Sequence, residues 1–204
     1  CAFNDDGSVI VAVGSDRFIR SLDGGATWVD PGTIFSGGND WQPRDVAFGD
    51  GLFVAVGDAG IFTSPDGVAW SDAIAPQGLG HVAFGHHLWV AAGEGKVAVA
   101  GADIAQPWDS QHINAVHTVI YDGARFVLGG DFVTAFSSDG ASWDQHTTNA
   151  SAQLLAFATV GGAGVYASST FPDIRESSSD AIAWSKNAGN GNDDNALAAL
   201  IFVP

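Results

Sequence analysis

Short apolar runs rich in β-branched and aromatic residues are broken throughout the chain by Gly, Ser and Asp. Val9-Ile10-Val11-Ala12-Val13 and Leu52-Phe53-Val54-Ala55-Val56 are the clearest. Runs of this kind, bounded by turn residues, predict strands. No window of roughly 12 residues carries apolar positions at i, i+3, i+4 and i+7 with polar residues between, so the helical period is missing. Gly, at 27 of 204 residues, would cost a helix close to about 1 kcal/mol at each interior position. The pattern predicts an all-β chain.

The runs also recur as a longer unit. Asp45 to Trp70 (DVAFGDGLFVAVGDAGIFTSPDGVAW) returns as His81 to Trp108, again as Thr118 to Trp143, and more loosely as Leu154 to Trp184; the opening segment ending at Trp28 is the same unit. The closing tryptophans stand at 28, 70, 108, 143 and 184, in steps of 42, 38, 35 and 41. A repeat of about 40 residues, built of short strands, describes the sheets of a β-propeller. Each unit reads as four strands, placed in the second copy at Val46–Phe48, Leu52–Gly57, Ile61–Ser64 and Val68–Ser71. We therefore expect one domain, a five-bladed β-propeller of four-stranded antiparallel blades. The repeats run over 1–42, 43–79, 80–115, 116–152 and 153–192. An unpaired sheet edge is a liability, so the apolar C-terminal strand within 193–204 is expected to close the ring on the first blade, shortening or displacing the strand at Cys1–Phe3.

Composition narrows the partners. Seven Lys+Arg against 23 Asp+Glu give a net charge of −16. Such a surface repels phosphate backbones and disfavours anionic lipid, which excludes nucleic acid as an ordinary partner. The longest apolar run, Ala196 to Val203, has about half of the roughly 18 residues a transmembrane helix needs. The single Cys excludes an internal disulfide framework and any CxxC site. The chain contains no Met, so Cys1 is not an initiator residue. A Cys at this position resembles the mature end of a bacterial lipoprotein, whose thiol is lipidated. The plainer alternative is that the stretch simply starts there. Membrane contact is expected only through such a lipid, and an exported location (periplasmic, cell-surface or extracellular) is expected with or without it.

The turn before each closing tryptophan carries the most specific signal. Ser21-Leu22-Asp23-Gly24-Gly25-Ala26-Thr27-Trp28 has the form Ser-x-Asp-x-Gly-x-Thr-Trp. Ser64, Asp66 and Trp70 belong to a version one residue shorter, as do Ser137, Asp139 and Trp143. Ser178, Asp180 and Trp184 form a version without its Gly, and Asp103 and Trp108 persist in the third copy. The chain thereby resembles the Asp-box (BNR) propellers: sialidases, sortilin-type domains and photosystem assembly-factor-like repeat proteins. The resemblance covers nearly the whole chain and implies the fold far more than a chemistry. A carboxylate that accepts backbone N–H bonds two residues on builds an Asx-type turn, Gly supplies positive φ, and Trp buries a large area between sheets. These residues are expected to be structural.

Catalysis finds little support. The sialidase resemblance would require three converging Arg, a Tyr/Glu pair, an Asp acid and an Arg-Ile-Pro motif. The chain has Arg17, Arg20, Arg44, Arg125 and Arg175, only Tyr121 and Tyr166, and no such motif. Glycoside hydrolysis needs two carboxylates. The positions where first strands enter the channel are Asp45, His81, Thr118 and Leu154, which offer one acid. No catalytic residue is assigned, and a minimal glycoside hydrolase ranks third among the readings.

Binding is the better expectation. Arg44, Asp45, His81 and His117 fall at or beside equivalent strand starts, with His112 close by in sequence, and should converge on one mouth of the channel. They form either a polar rim that hydrogen-bonds water and strand ends or a His/His/Asp set (Asp45, His81, His117) suited to Zn²⁺. The oxygen-rich stretch Asn187–Asn195 could hold Ca²⁺ but lacks EF-hand spacing. No cofactor is required. Trp41, in an inter-blade loop outside the box series, is a candidate to stack on a sugar or anchor a protein. The inter-blade loops differ from copy to copy, which argues against the repeated sugar sites of tachylectin-type lectins. The expected role is a non-enzymatic binding or scaffold propeller with a protein partner, as a subunit or assembly factor of an envelope or membrane-associated complex; a carbohydrate-binding module is the alternative.

Overall fold

A computed structural model describes residues 1–14, 17–30, 42–71, 74–101, 103–104, 107–160, 163–170, 173–177 and 179–186. Every regular element among them is a strand, and the strands form five antiparallel sheets in chain order. The first sheet holds β1 (Ala2–Phe3), β2 (Ile10–Gly14) and β3 (Arg17–Ser21); the second holds β4 (Pro43–Gly49), β5 (Leu52–Gly57) and β6 (Gly60–Ser64). The third holds β7 (His81–Gly85), β8 (Leu88–Gly93), β9 (Lys96–Ala100) and β10 (Asp109–His112). The fourth holds β11 (Val116–Tyr121), β12 (Phe126–Gly130), β13 (Val133–Ser137) and β14 (Asp144–Thr147). The fifth holds β15 (Leu154–Val160), β16 (Ala163–Thr170), β17 (Asp173–Ser177) and β18 (Ser185–Lys186). Trp41, Ser178 and the segments 187–195 and 193–204 lie outside the described residues.

The expected fourth strand is not uniform. In the first two sheets it shrinks to single bridges, Arg20–Val29 and Ile61–Ile74. The strand expected at Val68–Ser71 is corrected: the N–H groups of Val68 and Ala69 donate to Asp66 Oδ1 at 2.8 and 3.0 Å, which holds them in a turn. A carboxylate competing for backbone donors wins over the ladder there.

In the second, third and fourth sheets the second strand is almost wholly buried; Phe53, Val54, Ala55, Val56, Trp89, Val90, Ala91 and Ala92 are at most 1% exposed. Four apolar clusters fill the spaces between neighbouring sheets. The turn tryptophans reach backward across these spaces. Trp70 lies 4.3 Å from the Phe18 ring of the preceding sheet, Trp108 packs with Val54 and Ile61, and Trp184 with Val127 and Phe136. Trp28 breaks the expected rule: it is 42% exposed.

Close approach of sheets explains particular glycines. A Cβ on Gly49 would fall 2.1 Å from the Phe84 ring, and one on Gly85 would fall 2.4 Å from the Tyr121 ring. Phe48, Phe84, Tyr121 and Phe157 occupy equivalent places near the ends of the first strands, each opposite the residue that opens its second strand's core.

The turns are built by side chains. In the fourth sheet Gly140 N donates to Ser137 Oγ at 2.8 Å, while Ala141 N and Ser142 N donate to Asp139 Oδ1 at 2.9 and 2.8 Å. Ser64 and Asp66 repeat this pattern, Ser21 and Asp23 hold Gly25 and Thr27, and Asp180 holds Ile182 and Ala183. Backbone N–H bonds from Ser142 and Ala141, then the Ser137 hydroxyl, pull the Asp139 carboxyl down to about 2. A carboxyl whose folded value is depressed adds stability that is complete above the unfolded value and is lost as pH falls through the folded one. Asp139→Asn is therefore expected to be less stable than the parent at neutral pH, with the gap closing between about pH 5 and pH 2. Urea unfolding across that range checks this; a gap independent of pH contradicts it.

Candidate functional site

The first strands of successive sheets stand side by side: β1 packs on β4, β4 on β7, β7 on β11 and β11 on β15. Together they enclose a cavity of about 620 Å³ lined by residues of all five sheets, from Cys1 and Val13 to Leu154–Phe157. One end is aromatic, with Phe48, Phe84, Tyr121 and Phe157 on its wall; the other is polar, with Arg44, Asp45 and His81. A smaller cavity of about 220 Å³ adjoins the polar end and is lined by Arg44, His81 and His117, among others. The four described residues expected at one mouth are thus brought together. His112 is not among the lining residues of either cavity; its Nδ1 lies 2.7 Å from the Gly95 carbonyl oxygen. Cys1 is exposed.

Arg44, Asp45, His81 and His117 each have an internal partner at this mouth. Asp45 Oδ1 accepts from its neighbour Val46 N at 2.8 Å, and Oδ2 accepts from Val82 N of the adjacent first strand at 3.1 Å. The carboxylate therefore ties β4 to β7, and His81 Nδ1 sits 3.7 Å from the same Oδ2. Arg44 pairs with Asp58 at 2.7 Å and His117 Nε2 with Asp131 at 3.1 Å. Two local irregularities aim these side chains: the register shifts between Pro43 and Asp45 and between Val116 and Thr118, so Arg44 and His117 are the extra residues of bulges. Because His117 faces Asp131, it does not join Asp45 and His81, and among the described residues no group of three His, Cys, Asp or Glu could hold a metal ion.

Sequence reasoning missed the acidic residues at the tips between second and third strands: Asp58, Glu94 and Asp131. Their signal was present as Gly57-Asp58, Gly93-Glu94 and Gly130-Asp131, a Gly-acid pair at the end of the second strand in the three middle repeats. The His86-His87 pair does form a hairpin tip, with φ of 50° and 57°, where Asp50-Gly51 stands in the preceding sheet. There the His87 Nδ1 lies 2.9 Å from both oxygens of Asp50.

No family model matches this chain, and no curated protein does. Solved structures do. A structure of YCF48 bound to D1 peptide superposes with a TM-score of 0.61 at 15% identity, over 92% of this chain and 67% of that one. The Niastella koreensis GH74 enzyme gives 0.65 at 14% identity over 90% of this chain, and the extracellular domain of a hybrid two component system from B. thetaiotaomicron gives 0.64 at 9% over 85%. This chain spans 30% and 25% of the latter two. At such identities the likeness shows the fold alone: an all-β propeller, an architecture that serves binding proteins and enzymes alike.

Removal of the Asp45 carboxylate should free the Val82 N–H at a strand edge. Asp45→Ala is expected to cost about 1–3 kcal/mol, as loss of a charged acceptor from part-buried donors does. It should also speed amide exchange at Val82. Unchanged Val82 exchange would show that the carboxylate is no tie between the strands.

Proposed function

We propose that the chain is a non-enzymatic binding or scaffold propeller whose partner is a protein, held at the rim formed by Arg44, Asp45, His81 and His117. The observation that carries this reading is the state of the channel mouth. Asp45 is the one carboxylate among the described residues that line the larger cavity, and both its oxygens accept from backbone N–H groups. Acid–base catalysis needs a carboxyl free to exchange its proton with substrate, and a glycosidase needs two. A binding rim needs only fixed polar groups and an apolar anchor. Phe132, next in sequence to Asp131, supplies a candidate anchor: it is 59% exposed with φ of 57°. Protein binding also agrees with the peptide-bound state of the YCF48 neighbour.

The finer architecture belongs to the same proposal. The five sheets are read as five blades, their Ser/Asp turns as Asp-boxes, and the strand within 193–204 as the closing strand against the first blade. The two-residue β1 is consistent with that closure. An exported location, with the rim facing an envelope or membrane-associated complex, fits the extracellular setting of one structural neighbour.

The test is purification of the tagged chain from its native source, with an Arg44→Glu/His117→Glu double variant alongside. A stoichiometric protein that the parent retains and the variant loses is the expected result. Turnover of chromogenic glycosides that disappears in Asp45→Asn would replace this reading with an enzyme. Glycan-array binding that is lost in Trp41→Ala would replace it with a carbohydrate module.

A further inference from the structure

Among the second, third and fourth sheets the repeat pattern at the polar rim has one gap. Three equivalent segments lead into β4, β7 and β11, and each passes through a positive φ: 27° at Gln42, 74° at Gly78 and 63° at Ala115. Each then presses on the glycine that ends its own second strand, Gly57, Gly93 or Gly130, where a Cβ would meet backbone atoms at 1.9–2.5 Å. Two residues after the positive φ come Arg44, Gly80 and His117. In the second and fourth sheets this position carries a cationic or protonatable side chain that answers the acidic tip: Arg44 meets Asp58 and His117 meets Asp131. In the third sheet the tip residue is Glu94, and the answering position is glycine.

The smaller cavity lies at that gap, with Gly78, Gly80, Gly93 and Glu94 on its wall. Glu94, an exposed residue, reaches its Oε2 over Gly78 to 2.9 Å from where a Cβ would stand, and the Lys96 Nζ lies 3.3 Å from the same point without pairing with Glu94. Among the described residues the Glu94 carboxylate has no ion-pair or hydrogen-bond partner. The nearest ammonium, that of Lys96, donates to the Gln77 carbonyl at 3.2 Å. Arg44 and His117, which flank the cavity, are already paired with Asp58 and Asp131 and present little net positive charge to it. Nor does the backbone close the gap, because a Cβ on Gly80 would make ordinary contacts at 3.6 and 3.7 Å.

We propose that this glycine-lined gap receives an arginine or lysine side chain from the protein partner, which takes the place that Arg44 and His117 fill in the neighbouring sheets and pairs with Glu94. This rests on the protein-binding reading above and names the chemistry of its partner at one point of contact. Arginine is the better fit, since a planar guanidinium can bind a carboxylate through two N–H groups and a backbone carbonyl with the remainder. The net charge of −16 favours the approach of a cationic segment and makes it salt-dependent.

The probe is N-acetyl-arginine amide, titrated into the whole chain and followed by the amide resonances of Gly78, Gly80 and Gly93, with N-acetyl-citrulline amide as its uncharged counterpart. Saturable shifts at these three amides are expected with arginine and not with citrulline. Binding should be about fivefold weaker in Glu94→Gln, the effect of one exposed ion pair, and absent in Gly80→Arg, where the chain fills its own gap. Gly80→Ala should fold and still bind the probe, so a misfolded Gly80→Arg does not remove the test. Equal binding of citrulline, or unchanged binding in Glu94→Gln, overturns the proposal. A native partner held equally by parent and Glu94→Gln would overturn this inference while leaving the binding reading intact. Probe binding without any native protein partner would overturn the binding reading, and with it the partner's side chain, while leaving only a guanidinium subsite at Glu94.

Discussion

Each sheet in this molecule has strands of two to eight residues and cannot bury its faces alone. The fold therefore depends on sheet-to-sheet packing, and the constraint is visible wherever one sheet lies on the next. The Phe84 and Tyr121 rings occupy space that any side chain at Gly49 or Gly85 would need. Trp70, Trp108 and Trp184 fill the outer part of the same interfaces. Beside Trp70 and Trp184 the turns are held by Ser64 and Asp66 and by Asp180, which supply acceptors to backbone groups that have left the ladder. Trp28, in the turn of the first sheet, is the exception and stays 42% exposed.

Packing sheets in this way aligns their first strands around a shared cavity, and the chemistry of the cavity follows from strand direction. All first strands run the same way along it, so the ends carrying Phe48, Phe84, Tyr121 and Phe157 gather on one side and the starts carrying Arg44, Asp45, His81 and His117 on the other. The polar side is then largely self-satisfied. Bulges turn Arg44 and His117 toward acidic tips of their own sheets, and Asp45 spans to Val82. A rim whose charges are mutually paired is rigid and preorganised, which suits recognition more than proton transfer. What distinguishes one sheet from another at this rim is where the repeated pairing is left incomplete.

The fold was legible because it rests on composition and period. The apolar runs around Val11, Val54, Val90 and Leu128 became buried second strands, and the spacing of tryptophans marked one turn per sheet. The convergence of Asp45, His81 and His117 was also readable, since it follows from equivalence of position. Their partners were not. Whether His117 faces Asp45 or Asp131 depends on a bulge at Val116/Thr118, and a one-residue irregularity has no signature in the hydrophobic pattern. The fourth strand at Val68–Ser71 was misplaced because the same carboxylate that identified the turn also captured the backbone donors of the next two residues. Glu94 escaped notice because its significance is the absence of a partner, and only the neighbouring sheets show what that partner should be.

The central claim, that successive sheets lie face against face with an aromatic ring seated on the glycine of the sheet before, has a direct spectroscopic signature. The α-protons of Gly49 and Gly85 should be displaced upfield by the Phe84 and Tyr121 rings. Phe84→Leu should return Gly49 alone to its ordinary position, and Tyr121→Leu should return Gly85 alone. Unshifted glycine α-protons in the parent, or shifts indifferent to these substitutions, would contradict the arrangement.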